Sequence, residues 1–237
     1  MSDINNYMKE NKIKRVFIKD EAYDRLNRLI VTGELKPMEK INIKFLSEKL
    51  GISRTPLREA LLRLENDGLI ISKANRWTMV APINIKQALD IYPMIATLEC
   101  LALSHAFDNM SDADIDELED INEHINAIDT HKDLLEKIQL DNIFHKKIID
   151  MSKNNEIYPV IENLKTKVQR MEIFYYAEIQ ENSRTYDAHK LIIENLRKRD
   201  LRASIDALLA NWNDTLEIFK KIYKDEKLRS EDKTETN

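Results

Sequence analysis

The chain has 237 residues, with 37 Lys+Arg against 42 Asp+Glu for a net charge of −5, and 43% apolar residues, which suits one large or two ordinary domains and excludes a wholly disordered chain. A single cysteine, Cys100, excludes an internal disulfide framework and a cysteine-built zinc cluster. No apolar run approaches the ~18 residues of a membrane span, and the N-terminal MSDINNYMKENKIKR has no apolar signal core, so the expectation is a cytoplasmic protein without a membrane partner.

Glycine marks the first division. Only Gly33, Gly51 and Gly68 occur, so the 169 residues from 69 onward contain none. Without a residue that adopts positive φ cheaply, such a stretch is most easily built from helices joined by polar loops. Charge divides in the same place. Residues 1–83 carry 16 basic and 11 acidic groups, net +5, and residues 84–237 carry 21 and 31, net −10. A basic front and an acidic rear suggest two domains with different partners.

In chain order, residues 1–17 are polar and basic and read as a flexible arm. Asp20 reads as the N-cap of a first helix, with Tyr23, Leu26, Leu29 and Ile30 at helical spacing and Gly33 at C′. Pro37 marks a turn into a short extended piece around Ile41. A second helix over about 44–50 stops at Gly51, and a third starts after Ser53 as N-cap, with Pro56 in its first turn, and stops at Gly68. The β-rich runs 69–73 and 77–81 flank residues 74–76 and read as a hairpin. Beyond Pro82 the periodicity predicts six helices, at about 86–107, 112–129, 132–152, 156–181, 187–199 and 201–225. The second of these has Ser111 as its cap and Ile115, Leu118, Ile121, Ile125 and Ile128 as its stripe. The resulting domains are the arm 1–17, a winged helix-turn-helix over 18–83, a helical effector-binding and dimerisation domain over 84–226, and a disordered polar tail over 227–237. The fold class is mainly α: an N-terminal winged helix-turn-helix with a small β-hairpin wing, and a C-terminal all-α antiparallel helical bundle.

Two short helices joined by a glycine turn and followed by a hairpin form the winged helix-turn-helix pattern, whose second helix enters the major groove. That helix begins Ser-Arg-Thr-Pro-Leu-Arg. Arg54 and Arg58 lie four apart on one face, and arginine is the commonest partner of a guanine edge. Thr55 and the first-turn N–H groups suit phosphate oxygens. The plain reading is a solvated basic helix end, but basic groups at a helix N-terminus oppose the macrodipole, so stability alone does not place them there.

The run Leu46-Ser-Glu-Lys-Leu-Gly-Ile-Ser-Arg-Thr-Pro-Leu-Arg-Glu-Ala-Leu-Leu-Arg-Leu-Glu-Asn-Asp-Gly-Leu-Ile70, with Gly33-Glu-Leu-Lys-Pro37 before it, closely resembles the DNA-binding domain of GntR-type transcription regulators. The resemblance implies a homodimer on a short palindromic operator in double-stranded DNA. It also implies that Lys44 on the second helix and Arg54, Thr55 and Arg58 on the third make the contacts. The sequence departs from the family pattern where Met38 follows Pro37 and where Trp77 follows Asn75-Arg76, each a place usually held by glycine. A tryptophan cannot give the close backbone approach that a glycine wing tip allows, which leaves Arg76 to enter the minor groove or meet phosphate.

The rear is similar to the all-helical FCD domain of the FadR branch of that family over about 88–220. The likeness rests on Leu98-Glu99, Asp141-Asn-Ile-Phe-His145, Ser152-Lys-Asn154, Ala188-His189 and Ile192-Ile193. In many such domains an Asp and three His hold a divalent metal inside the bundle, and an organic-acid effector docks on or near it. The residues themselves support part of this. Asp141 and His145 at i and i+4 share a helical face with Phe144 and Ile148, and His189 shares one with Ile192, Ile193 and Leu196. A shared cation, zinc or nickel, would satisfy all three; so would a hydrogen bond between Asp141 and His145 with His189 as a core histidine. The family's last histidine falls on Asn211, whose amide oxygen is a neutral, harder ligand, and the arginine the family tends to carry four residues before Glu99 is Ile95 here. Tyr175, Tyr176, Tyr186 and Trp212 could line an effector pocket or simply fill the core, and His105, His124 and His131 read as surface residues.

The leading function is a ligand-responsive transcriptional regulator, not an enzyme. A metal-dependent hydrolase using Asp141, His145 and His189 is one alternative, although no phosphate loop, HExxH or nucleophile elbow accompanies it. An architectural DNA-binding dimer without an effector is the other.

Overall fold

Alternating stretches of helical periodicity and glycine stops give the front of the chain its short elements. The structure, a computed structural model, describes residues 18–73, 76–129, 133–175 and 185–235, with side chains to 228. The expected arm over 1–17, the wing tip at 74–75, His131, Tyr176 and the end of the predicted 156–181 helix lie outside the described residues. The chain divides into two units, 1–82 and 83–237.

In the first unit, α1 (Ile18–Val31) buries Ala22, Leu26, Ile30 and Val31. It begins two residues before Asp20, so Asp20 sits in the first turn instead of capping it, where its negative charge still meets the positive helix end. α2 (Ile43–Leu50) is capped by Asn42, whose Oδ1 accepts from the Phe45 N–H at 3.0 Å, and is closed by Gly51 at φ 66°. α3 (Arg54–Asn66) turns Leu57, Ala60, Leu61 and Leu64 inward. β1 (Ile70–Lys73) and β2 (Trp77–Val80) pair antiparallel, with Ile70 opposite Val80 and Lys73 opposite Trp77. The extended piece before α2 adds to this hairpin: the Val80 N–H donates to Glu39 O at 2.9 Å and the Ile41 N–H to Thr78 O at 2.8 Å. Leu26, Ile30, Leu57, Leu64, Ile70 and Val80 form its core.

In the second unit, α4 (Ile85–Ala106) is the central helix and packs on three others, α6 (Leu134–Met151), α7 (Ile157–Phe174) and α9 (Leu201–Glu235). α5 (Asp112–Ala127) starts with a capping box between Ser111 and Asp114, packs on α6 and lies against α8 (Thr185–Arg197), which in turn packs on α9. The α9 helix runs to Glu235, past the expected end at 225 and through most of the segment expected as a disordered tail over 227–237. The reason is local: residues 226–235 contain neither glycine nor proline, so nothing in the sequence breaks the helix. Ile95, Leu103, Phe144, Ile148, Ile192, Leu208 and Phe219 are among its fully buried core.

The turn at Pro37 carries a strain the sequence departure leaves behind. The Glu39 N–H donates to Lys36 O at 3.0 Å, which closes a four-residue turn with Pro37 second and Met38 third, and Met38 has φ 65°. That is the type II position where glycine is favoured. The left-handed region costs a residue with a Cβ about 1–2 kcal/mol, and glycine gives back about 0.5–1 kcal/mol of that in the unfolded chain. Met38 is 55% exposed, so its side chain contributes little packing. Met38→Gly is therefore expected to stabilise the first unit by about 0.5–1 kcal/mol, read as a higher urea midpoint at unchanged slope. A lower midpoint would show that the methionine side chain outweighs the turn.

Candidate functional site

The basic face of the first unit is set by which arginines of α3 are already engaged. Arg63 packs 3.9 Å from the Tyr23 ring centre and pairs with Asp20 at 3.5 Å, which ties it back to α1. Arg54 and Arg58 are exposed and have no ion pair among the described residues. Ser53 has the extended geometry of an N-cap but its side chain makes no capping bond, so the first-turn N–H groups remain open toward an incoming acceptor. Thr55 and Lys44 are exposed on the first turns of α3 and α2, and Arg76 is exposed at the start of β2. The structure thus presents all five residues singled out as DNA contacts at the surface.

In the second unit, helices α6, α8 and α9 bring Asp141, His145, His189 and Asn211 together, and α5 adds Asn122 beside them. The candidate ligand atoms of Asp141, His145 and His189 lie within 4.8 Å of one another. Hydrogen bonding fixes which nitrogens point inward. Asn122 donates through Nδ2 to Tyr186 O at 3.1 Å, so its Oδ1, 3.2 Å from His189 Nδ1, must face a protonated nitrogen. His189 Nε2 is therefore the bare nitrogen; it has no hydrogen-bond partner and lies 3.5 Å from Asp141 Oδ1. Burial, then the charges of His145 and Lys165, hold the His189 pKa well below its ordinary value and keep the ring neutral, as a ligand must be. His145 places Nδ1 2.7 Å from Glu99 Oε2, leaving Nε2 on the other side, 3.5 Å from Asn211 Nδ2. Phe144 stacks on the His189 ring at 3.9 Å and holds its plane.

An orphaned buried imidazole nitrogen facing a carboxylate and a second imidazole nitrogen fits a divalent cation. Asn211 is buried beside them, and rotation of its amide would turn an oxygen toward the same point.

Behind His145 stands the fully buried carboxylate of Glu99. It accepts from the Trp212 indole N–H at 2.9 Å and lies 3.2 Å from Lys165 Nζ through its other oxygen. Burial alone would raise its pKa; the charges of His145 and Lys165, with hydrogen bonds from His145 and Trp212, overcome that and lower it from 4.5 to about 2.

The aromatic residues considered for a pocket divide differently. Trp212 is buried with its N–H engaged by Glu99 and its ring 4.7 Å from that of His145, so it braces the cluster. The Tyr175 hydroxyl donates to Glu226 at 2.6 Å, and its ring packs edge-on to Phe219. Tyr186 is a correction: its hydroxyl donates to the exposed Glu123 at 2.7 Å, so only its backbone carbonyl reaches the cluster, through Asn122. His105 and His124 are exposed. Sequence reasoning gave no role to Asn122, Lys165, Tyr92 or Glu172. Asn122 did leave a signal, a polar residue one step along the stripe of Leu118, Ile121 and Ile125.

A winged helix-turn-helix in one unit and an all-helical second unit define a class, the two-domain transcriptional regulators. Residues 18–80 match the family described as "Bacterial regulatory proteins, gntR family", and residues 90–213 match the FCD domain. The chain belongs to the GntR family and carries the FCD domain, in keeping with the FadR branch. It is 28% identical to the HTH-type transcriptional regulator YdhC of Bacillus subtilis over 87% of this chain and 93% of that one. It is also 28% identical to the HTH-type transcriptional regulator McbR of Escherichia coli, over 80% and 86%. The solved structure of E. coli McbR/YncC shares its fold with a TM-score of 0.73 at 24% identity, over 88% of this chain and 99% of that one. The chain is thus a DNA-binding transcriptional regulator, not an enzyme. No helix among the described residues is long and apolar enough to cross a membrane.

Because the folded state holds Glu99 ionised down to about pH 2 while the unfolded chain protonates it near 4.5, its contribution is complete above about 4.5. That contribution is lost as pH falls from there toward 2. Glu99→Gln is expected to lose stability at pH 7 and to flatten the acid limb between those values, measured by urea unfolding at stepped pH. An unchanged acid limb would mean that Glu99 is already protonated in the folded state.

Proposed function

We propose that the chain is a metal-assisted, ligand-responsive regulator acting as a homodimer on a palindromic operator in the cytoplasm. Asp141, His145 and His189 hold one divalent cation, zinc or nickel, and Asn211 or water completes its shell. The observation that carries this reading is the pair of inward imidazole nitrogens beside Asp141, one of them without any partner in a buried site. A bound cation supplies a Lewis-acidic point for an effector. The chain's own residues orient it: Glu99 and Asn122 fix the two imidazole rings, and Phe144 and Trp212 exclude water around them. At the DNA, Arg54 and Arg58 read base edges, Thr55 and the open N-terminus of α3 meet phosphate, and Lys44 and Arg76 add contacts from α2 and the wing. A two-fold dimer doubles this set across the palindrome.

Arg54→Ala and Arg58→Ala are each expected to cost roughly 1–3 kcal/mol of operator affinity and to relax sequence preference. Lys44→Ala should weaken binding uniformly across sequences and make the slope of log K against log salt shallower by about 0.9. Electrophoretic mobility shift at several salt concentrations reads all three. Unchanged affinity and preference in both arginine variants would remove α3 as the reading helix.

Zinc or nickel should raise the melting temperature of the protein, since binding to the native state alone adds about 2.7 kcal/mol at 100 times Kd. His145→Ala should abolish that rise, and Asn211→His should tighten binding by supplying imidazole where an amide stands. If neither ion moves the melting temperature of the wild type, the cluster is a hydrogen-bonded core. An operator affinity indifferent to metal and to every small molecule tried would favour the architectural dimer.

A further inference from the structure

Beside the three candidate ligands lies a second polar pair that the cation reading leaves unused. Glu172 on α7 sits deep among the helices yet keeps part of its surface accessible. So do its neighbours Lys165, 15% accessible, and Asp141, 31%. Burial raises the Glu172 pKa above its ordinary value; the Tyr92 hydrogen bond opposes this, the charge of Asp141 adds to it, and the charges of Lys165 and His145 oppose it, so the group belongs to the same electrostatic cluster. The Tyr92 hydroxyl, itself fully buried, donates to Glu172 Oε1 at 2.5 Å. Among the described residues this is the one hydrogen bond Glu172 makes, and no basic side chain pairs with it.

The charges around it do not balance. Lys165 is held by Glu99 at 3.2 Å and over the Trp212 ring at 5.0 Å, so its ammonium is already engaged. A cation at the three candidate ligands would be shared with Asp141. Glu172 then remains a secluded carboxyl group with one hydroxyl partner and no ion pair among the described residues, an arrangement in which burial disfavours the charged form unless something positive completes it. On the facing helix α4, the fully buried stripe of Ala88, Tyr92, Ile95 and Glu99 offers no cation to a ligand carboxylate.

We propose that Glu172, held by Tyr92, is the anchor for a positively charged nitrogen of the effector, so that the ligand is a small primary amine and not a simple carboxylic acid. This rests on the reading of the second unit as a sensor, but it assigns a different contact from the cation site. The amine donates to the free oxygen of Glu172, while Tyr92 fixes the other.

The test is thermal denaturation of the full chain, with and without zinc, titrated with ethanolamine, putrescine and β-alanine, and with acetate and succinate as amine-free probes. At least one amine-bearing probe should raise the melting temperature saturably, and acetate and succinate should not. Glu172→Gln should weaken that amine roughly tenfold or more, the scale of a lost charge-assisted hydrogen bond, and leave the zinc shift in place. Tyr92→Phe removes only the hydroxyl; it should weaken the amine by a smaller factor, and it serves if Glu172→Gln does not fold. The proposal is overturned if no amine shifts the wild type, if acetate or succinate does so in its place, or if the amine shift survives both variants. Loss of the zinc shift in folded Glu172→Gln would make Glu172 a metal ligand and also overturn it. A wild type that answers an amine but not zinc would keep the amine site and remove the cation.

Discussion

One fully buried carboxylate organises the second unit. Glu99 projects from the central helix α4 and meets His145 on α6, Lys165 on α7 and Trp212 on α9. Four helices are thereby registered on a single charge. Replacing such a network wholesale with apolar groups can be neutral, but removing one member strands the others, at about 3–5 kcal/mol. The network thus specifies one arrangement of the helices more than it adds to stability. The same contacts make it directional. His145 is held by Nδ1, so the nitrogen that remains can only face Asn211 and the Asp141–His189 pair.

The candidate ligand cluster is the inward consequence of that constraint, and Asn122 repeats the device on a smaller scale. Its amide is oriented by a backbone carbonyl of α8, and it in turn sets the tautomer of His189. Neither Glu99 nor Asn122 is among the three candidate ligand residues, yet without them the two imidazoles would have no preferred nitrogen. Lys165 counters the charge of Glu99, and this is why Glu172, about two turns further along the same face of α7, is left with a hydroxyl alone.

In the first unit, specificity also comes from what is already engaged. Three arginines lie on α3, and the one farthest from its N-terminus, Arg63, is bound to α1 through Tyr23 and Asp20. Arg54 and Arg58 remain for a partner, at the helix end where the backbone adds its own positive field. Helix stability opposes this placement, so the first turn of α3 is a position where function and local propensity disagree. Met38 is another local conflict, a bulky residue in a left-handed turn that the strand beside β2 requires.

The sequence by itself determined the two-domain division, the helix and hairpin order, and the basic residues of α3. These depend on local signals: glycine stops, periodicity, and the exposure of a helix N-terminus that follows from its apolar stripe. It also paired Asp141 with His145, because i and i+4 on one helix are neighbours in any fold. It misjudged the end of α9, where a polar run without glycine or proline continues the helix, and the side chain of Tyr186, which a helical period alone cannot aim. Only the tertiary structure decided that His189 and Asn211 meet that pair from other helices, and that Glu99, Asn122, Lys165, Tyr92 and Glu172 surround them. Those meetings span separations from 44 residues, His145 to His189, to 113, Glu99 to Trp212, and whether a buried charge is paired or left over depends on which helices become neighbours, which no local pattern encodes.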